Sequence, residues 1–193
     1  MKSRYLRYVA QIGLVVLAAS LSAVAQNPTH GTFVGVINAY SPQTTTTGPY
    51  EVRGPWSLKL EGDSGKADFS AALDMKLSDG WVLTKNSGNF DPNSRDTHTH
   101  HVTLVDADVT PNADGNGFQV NGIATITLNG NPAPVSPAPL TINITGGKSV
   151  EFSNITMTFG APASRHFGTA PLSGVVRTFK QGDSEDDESH RDK

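Results

Sequence analysis

Apolar and polar residues alternate along most of the chain beyond residue 30, and this two-residue period is typical of strands with one buried face. The clearest case is the segment from Lys66 to Leu77. One of its faces is entirely apolar and consists of Ala67, Phe69, Ala71, Leu73, Met75 and Leu77. Gly and Pro recur throughout, and no segment shows a sustained 3.6-residue apolar period. The pattern therefore predicts an all-β protein.

Eight segments carry the strand pattern. They are residues 31–39, 56–60, 66–77, 100–109, 118–128, 140–145, 149–159 and 172–179. Most connections between them are short, which favours antiparallel hairpins over parallel crossovers. Eight antiparallel strands can close into a small barrel or fold into a two-sheet sandwich. Because neighbouring strands are joined by hairpins, we predict the small closed barrel, with the sandwich as the alternative.

Several connections carry their own predictions. In the segment 149–159 the apolar residues switch midway from even-numbered to odd-numbered positions, which predicts a β-bulge near Ser153 and Asn154. Residues 112–117 consist of Asn, Ala, Asp and Gly and predict a hairpin turn, since the terminal Glu of a calcium loop is missing. Residues 131–139 hold four prolines and are expected to run extended with few hydrogen bonds. Residues 41–50 and 79–96 are predicted to be long polar loops.

The N-terminus has the three parts of a secretory signal peptide. Basic residues at positions 2, 4 and 7 precede an apolar run over residues 12–19, and a small-x-small sequence ends at Ala25. The apolar run is well short of the roughly 20 residues that a spanning helix needs, so we expect no stable membrane span. We predict cleavage after Ala25, a single β-domain over residues 26–180, and a secreted or periplasmic location. A membrane-embedded barrel is an alternative that eight strands permit.

Charge and cysteine content narrow the function classes. Loss of the signal peptide leaves 12 basic against 18 acidic residues, and the excess is concentrated in residues 181–193, predicted to be a disordered acidic tail. A chain with no basic field is not expected to bind nucleic acid. The chain contains no Cys, which excludes disulfides, thiolate metal sites and thiol catalysis.

The densest group of metal-ligating side chains follows the loop that precedes the fourth strand. Its sequence is Asp96-Thr97-His98-Thr99-His100-His101. On a strand, His98 and His100 share one face and stand roughly 7 Å apart, while His101 faces the other way. Two imidazoles in this arrangement can bind one zinc, copper or iron ion if further ligands approach. The predicted metal ligands are His98, His100, Asp96 and, from the segment Arg165–Gly168, His166, with His30 as another candidate.

A structural role is the alternative for each of these groups. Histidines at a strand end can simply hydrogen-bond to the backbone and to solvent, and Phe167 can plug one end of the core. Asp106 and Asp108 share parity with His98 and His100, so they are either an acid–base pair or solvent-facing charges. No residue is assigned a catalytic role, because no nucleophile or phosphate-loop motif is present.

Three functional classes remain, and we favour the first. It is an exported barrel-like binding module for a small ligand or protein partner that the sequence does not identify, with a divalent transition metal such as zinc or copper as the candidate cofactor. The second is a metal-dependent enzyme built on His98 and His100. The third is a structural or surface-interaction protein without a small ligand.

Overall fold

The computed structural model describes residues 30–41, 50–77, 97–146 and 153–182. These residues form nine strands and one short helix. The strands are β1 (Gly31–Tyr40), β2 (Tyr50–Leu60), β3 (Lys66–Leu77), β4 (Thr97–Pro111), β5 (Phe118–Leu128), β6 (Asn131–Pro132), β7 (Ala138–Thr145), β8 (Asn154–Phe159) and β9 (Leu172–Gln181). The helix α1 spans Ser164–Phe167, and a 3-10 turn spans Gly62–Ser64. No helix in these ranges is long and apolar enough to cross a membrane.

Eight of the strands close into an antiparallel barrel. Around the ring the order is β4-β3-β2-β1-β9-β8-β7-β5, and β5 pairs with β4 to complete it. The strand that is not part of the ring, β6, has only two residues and pairs with the end of β5. Each of the eight predicted segments supplies one barrel strand. The predicted closed barrel is therefore confirmed, and the two-sheet sandwich is wrong.

The inward positions of the strands form one packed core. In β3 the residues Ala67, Phe69, Ala71, Leu73 and Met75 are all buried, as the alternation predicts. The space beside small inward residues is occupied by neighbouring large side chains and does not form a cavity at these positions. A Cβ added to Gly122 would lie 3.1 Å from the Leu104 side chain, and one added to Gly35 would lie 2.7 Å from the indole of Trp56. The described interior is thus filled by side chains, as is common in eight-stranded barrels.

A β-bulge interrupts β4 near its far end. Phe69 pairs with Leu104 and Ala67 pairs with Ala107, so Val105 and Asp106 together face the single residue between them on β3. Asp106 has a φ of 57°, and its N–H donates to the Asp68 carboxylate over 2.9 Å. The bulge reverses the parity of every residue that follows it in β4.

That reversal corrects the expectation for the two β4 carboxylates. Asp106 and Asp108 are both exposed, whereas Ala107 between them is buried. They therefore do not share the face of His98 and His100. The side chain of Asp108 forms an ion pair with Lys66 at 2.6 Å on the outer surface. The expectation that these carboxylates share the histidine face is wrong, and the solvent-facing interpretation is correct.

The connections give mixed results. Asn112–Gly117 is a hairpin turn, closed by the Asn112 N–H on the Gly117 carbonyl at 3.0 Å, as predicted. Residues 131–139 do not simply run extended: the Ser136 N–H donates to the Ala133 carbonyl over 3.0 Å and closes a turn before β7. The predicted bulge near Ser153 borders residues 147–152, which lie outside the described ranges. The predicted long loops, the predicted signal peptide and most of the predicted acidic tail lie outside them too.

Candidate metal centre

The candidate site lies at the end of the barrel where β4 begins. His98 and His100 occupy successive inward positions of β4 and pair with Met75 and Leu73 of β3, which are fully buried. His101 lies between inward positions and is exposed. The predicted placement of His98 and His100 on one face is therefore confirmed, because the bulge of β4 comes after them.

The short helix α1 brings the third histidine from the other side of the same opening. It follows β8 through a turn in which the Ser164 N–H donates to the Gly160 carbonyl over 2.9 Å. Phe167 at its end is fully buried and stacks on Phe159 of β8, with ring centroids 4.2 Å apart. This stacking anchors α1 and holds the neighbouring His166 over the barrel opening. Phe167 plugs the core, as the structural alternative predicted, while His166 joins the histidine pair.

The three imidazoles converge through the same ring atom. The Nε2 atom of His166 lies 3.0 Å from Nε2 of His98 and 3.0 Å from Nε2 of His100. All three ligand atoms lie within 4.8 Å of one another, and no carboxylate of the described residues belongs to the group. We call His98, His100 and His166 the histidine triad.

Hydrogen bonding sets the tautomer of His100. Its Nδ1 lies 2.8 Å from the backbone carbonyl oxygen of Thr127 in β5. Since a carbonyl can only accept, Nδ1 must carry the proton, and Nε2 of a neutral His100 is left with its lone pair. This second hydrogen bond also orients the ring, as it does in many metal-binding histidines.

The remaining Nε2 contacts cannot all be ordinary hydrogen bonds. If Nε2 of His166 carries its proton, that one hydrogen can fully serve only one of the two contacts. If it does not, its lone pair faces the lone pair of His100. In either case at least one of the two Nε2 contacts has no properly placed hydrogen. A positive ion placed there would satisfy all three lone pairs at once.

Burial keeps the histidine triad uncharged. Desolvation lowers the pKa of His100 to about 4, with the other two imidazoles adding to the effect and the Thr127 hydrogen bond opposing it. Desolvation, then the charge of His98, lowers the pKa of His166 to about 4. Burial lowers the pKa of His98 as well. At neutral pH the three rings are therefore neutral, which is the form that binds metals.

Aromatic side chains surround the histidine triad. Tyr50, at the start of β2, contacts the His98 ring edge-on with centroids 5.1 Å apart and the His166 ring at 5.5 Å. Its backbone is fixed by Ser41, whose Oγ accepts from the Tyr50 N–H over 2.7 Å. On the inner side, Phe167 contacts His100 with centroids 5.1 Å apart. The site therefore has an apolar floor and one apolar wall.

The other predicted site residues are placed differently or lie outside the structure. Asp96 directly precedes β4 but lies outside the described ranges, so its role as a ligand stays a prediction. His30 directly precedes β1, whereas the histidine triad lies where β1 ends, so the two are at opposite ends of the barrel. Tyr50 and the Thr127 carbonyl were missed, because their roles depend on strand register and leave no motif in the sequence.

The geometry of the histidine triad fits a first-row transition metal. The three ligand nitrogens form a triangle with two sides of 3.0 Å and a third of at most 4.8 Å. The point equidistant from them therefore lies at most about 2.5 Å from each nitrogen, whereas zinc–imidazole bonds measure about 2.0–2.1 Å. A shift of at most roughly half an ångström per ring would complete the bonds. Small side-chain rotations supply such a shift.

Comparisons with known proteins give no independent guide to the site. No family model matches the chain, and neither a search of curated proteins nor a search of solved structures finds a match. The function has to be argued from the histidine triad itself.

Proposed function

We propose that this protein binds one divalent transition-metal ion, zinc or copper, through the Nε2 atoms of His98, His100 and His166. The observation that carries the proposal is the convergence of three Nε2 atoms, two of them 3.0 Å from the third. Two of the ligands come from one strand and the third comes from α1, so the metal would link β8 and α1 to β4 across the barrel opening.

The donor set supports this choice of metal. Imidazole nitrogen suits zinc, copper, nickel and iron, whereas calcium and magnesium prefer oxygen ligands. The Thr127 carbonyl supplies the second-sphere hydrogen bond that fixes the metal-binding tautomer of His100. Histidines that served only as polar groups at strand ends would not be expected to bring three Nε2 atoms together.

A metal-dependent enzyme is the second candidate, and the number of ligands favours it. Structural zinc sites have four protein ligands, while catalytic sites have three and keep one position for water or substrate. The histidine triad has three among the described residues. A bound metal would polarise water or a carbonyl group there, and the chain's own contribution would be to hold the ion and exclude bulk water on the side of Phe167.

The test is the metal content of the protein, purified without an affinity tag and without chelator, measured by mass spectrometry. We expect close to one equivalent of metal per chain in the wild type and none in the His98→Ala/His100→Ala variant. His101→Ala is the matched control, because this histidine lies on the same strand but faces solvent. Metal that is absent from the wild type, or retained in the double variant, would contradict the proposal.

Thermal unfolding supplies a readout that needs no native metal. At free zinc about 100-fold above Kd, binding to the folded state adds about 2.7 kcal/mol, which raises Tm by roughly 5–10 °C for a chain of this size. The shift should appear in the wild type and in His101→Ala, and should vanish in His166→Ala. An equal shift in His166→Ala would show that zinc binds elsewhere.

A further inference from the structure

The ligands of the histidine triad carry no charge of their own. Three neutral imidazoles would leave a divalent ion with its full double positive charge. Among the residues that the structure describes, no Asp or Glu belongs to the group. Asp74 accepts from the Thr99 hydroxyl over 2.7 Å but is exposed on the outer face of the sheet, and Asp106 and Asp108 lie on the outer surface beyond the bulge. No carboxylate of the described ranges would therefore compensate that charge directly.

The buried surroundings of the histidine triad would destabilise an uncompensated positive charge. His100 is only 2% exposed, and Phe167 beneath it is fully buried. Tyr50 covers the flank of His98 and His166 with its ring. A charge in such a place is poorly hydrated, and it is stable only when paired with an opposite charge. The ion would therefore favour an anion as its next ligand.

The exposure of the three histidines indicates the side from which such a ligand would approach. His98 and His166 are half-buried, whereas His100 is buried, so exposure increases from His100 towards the other two rings. A further ligand of the ion would therefore enter on the side of His98 and His166.

We propose that the metal bound by the histidine triad carries an exchangeable anionic ligand on its solvent side, a solvent hydroxide that small anions such as azide displace. This inference rests on the proposed metal binding and extends it to a ligand class. The site thereby becomes a receptor for small anions that coordinate through one atom.

Cobalt(II) substitution tests the inference, because the visible spectrum of the ion reports its coordination directly. The metal-free full chain is loaded with one equivalent of cobalt, and azide is then titrated at constant ionic strength set with perchlorate. We expect a saturable change of the visible bands with one azide per cobalt. Perchlorate alone, which coordinates metals poorly, should leave the bands unchanged, and His101→Ala should respond as the wild type does.

The outcomes separate the inference from the proposal on which it rests. Metal binding by the histidine triad predicts a cobalt spectrum that saturates at one equivalent in the wild type and is lost in His166→Ala. If this spectrum does not appear, or persists in His166→Ala, the proposed metal binding itself is wrong. If cobalt binds but azide changes nothing, metal binding stands and the exchangeable position is refuted. An Asp96→Asn variant separates the two sources of the anion. Equal azide midpoints in this variant and the wild type support the inference, whereas a response found only in Asp96→Asn means that Asp96 occupies the position and overturns it.

Discussion

At the scale of single residues, His100 shows how one backbone contact defines the chemistry of a side chain. Its Nδ1 donates to the Thr127 carbonyl, its Nε2 faces His166, and its ring packs on Phe167. The hydrogen bond chooses the tautomer, and burial keeps the ring neutral. Spacing along β4 predicted which way this ring points, but not the partner on either nitrogen.

The lowered pKa of His100 predicts how the stability of the metal-free protein depends on pH. The folded state holds this ring neutral down to about pH 4, while the unfolded chain binds the proton near pH 6.5. The contribution of His100 to the free energy of unfolding is therefore fully present above pH 6.5 and is lost as the pH falls from 6.5 to 4. The difference between the two pKa values corresponds to roughly 3 kcal/mol at most.

Urea unfolding in the presence of chelator measures this effect between pH 7.5 and pH 4.5. His100→Leu is the matched variant, because leucine fills a similar volume and cannot be protonated in either state. The decline should be shallower in the variant than in the wild type. Parallel curves for the two proteins would contradict the prediction.

At the scale of elements, β4 is the strand that carries the site, and its bulge limits the site to one end. Up to Leu104 the inward positions have the parity of His98, and beyond Asp106 they have the opposite parity. Counting alternate positions placed Asp106 and Asp108 on the same strand face as the histidines. Residues 104–109 do not show in sequence which of them is the extra one, so only the pairing with β3 revealed the bulge.

The bulge predicts a pattern of stability changes at Asp106. Its φ of 57° is tolerated by Asp, Asn and Gly but strained for a β-branched residue. We expect Asp106→Val to lower the free energy of unfolding by about 1–2 kcal/mol, and Asp106→Gly to leave it unchanged or raise it slightly. Denaturant unfolding of both variants checks this, and an equal loss in both would rule out the backbone explanation.

At the scale of the whole molecule, closure of the barrel explains why distant parts of the chain form one site. Sequential hairpins place the strands in order, and the pairing of β9 with β1 closes the ring between the two ends of the described chain. His166 lies 68 residues beyond His98, yet their Nε2 atoms are 3.0 Å apart. The turn after β8 ends at the same barrel edge as the start of β4, because alternate strands run in opposite directions.

Export is a prediction about the whole molecule that the structure does not address. Expression of the full chain in a bacterium with a periplasm should yield a mature protein that begins at Gln26, recovered outside the cytoplasm. Intact-mass and N-terminal analysis measure this directly. An Ala23→Arg/Ala25→Arg variant should keep its leader, since small residues are needed at both positions. A cytoplasmic wild-type chain that still begins at Met1 would contradict it.

The sequence by itself determined the class of fold, the approximate positions of the eight barrel strands and the shared face of His98 and His100, although β2 begins at Tyr50 and not at Trp56. These follow from local physics: a two-residue period decides which side chains are buried, and Gly-rich and Asp-rich turns decide where strands reverse. Only the tertiary structure decided between barrel and sandwich, chose His166 over His30, and placed Asp106 and Asp108 on the face opposite to the histidines. Each of those depends on strand register and closure, which arise from contacts between residues far apart in the chain.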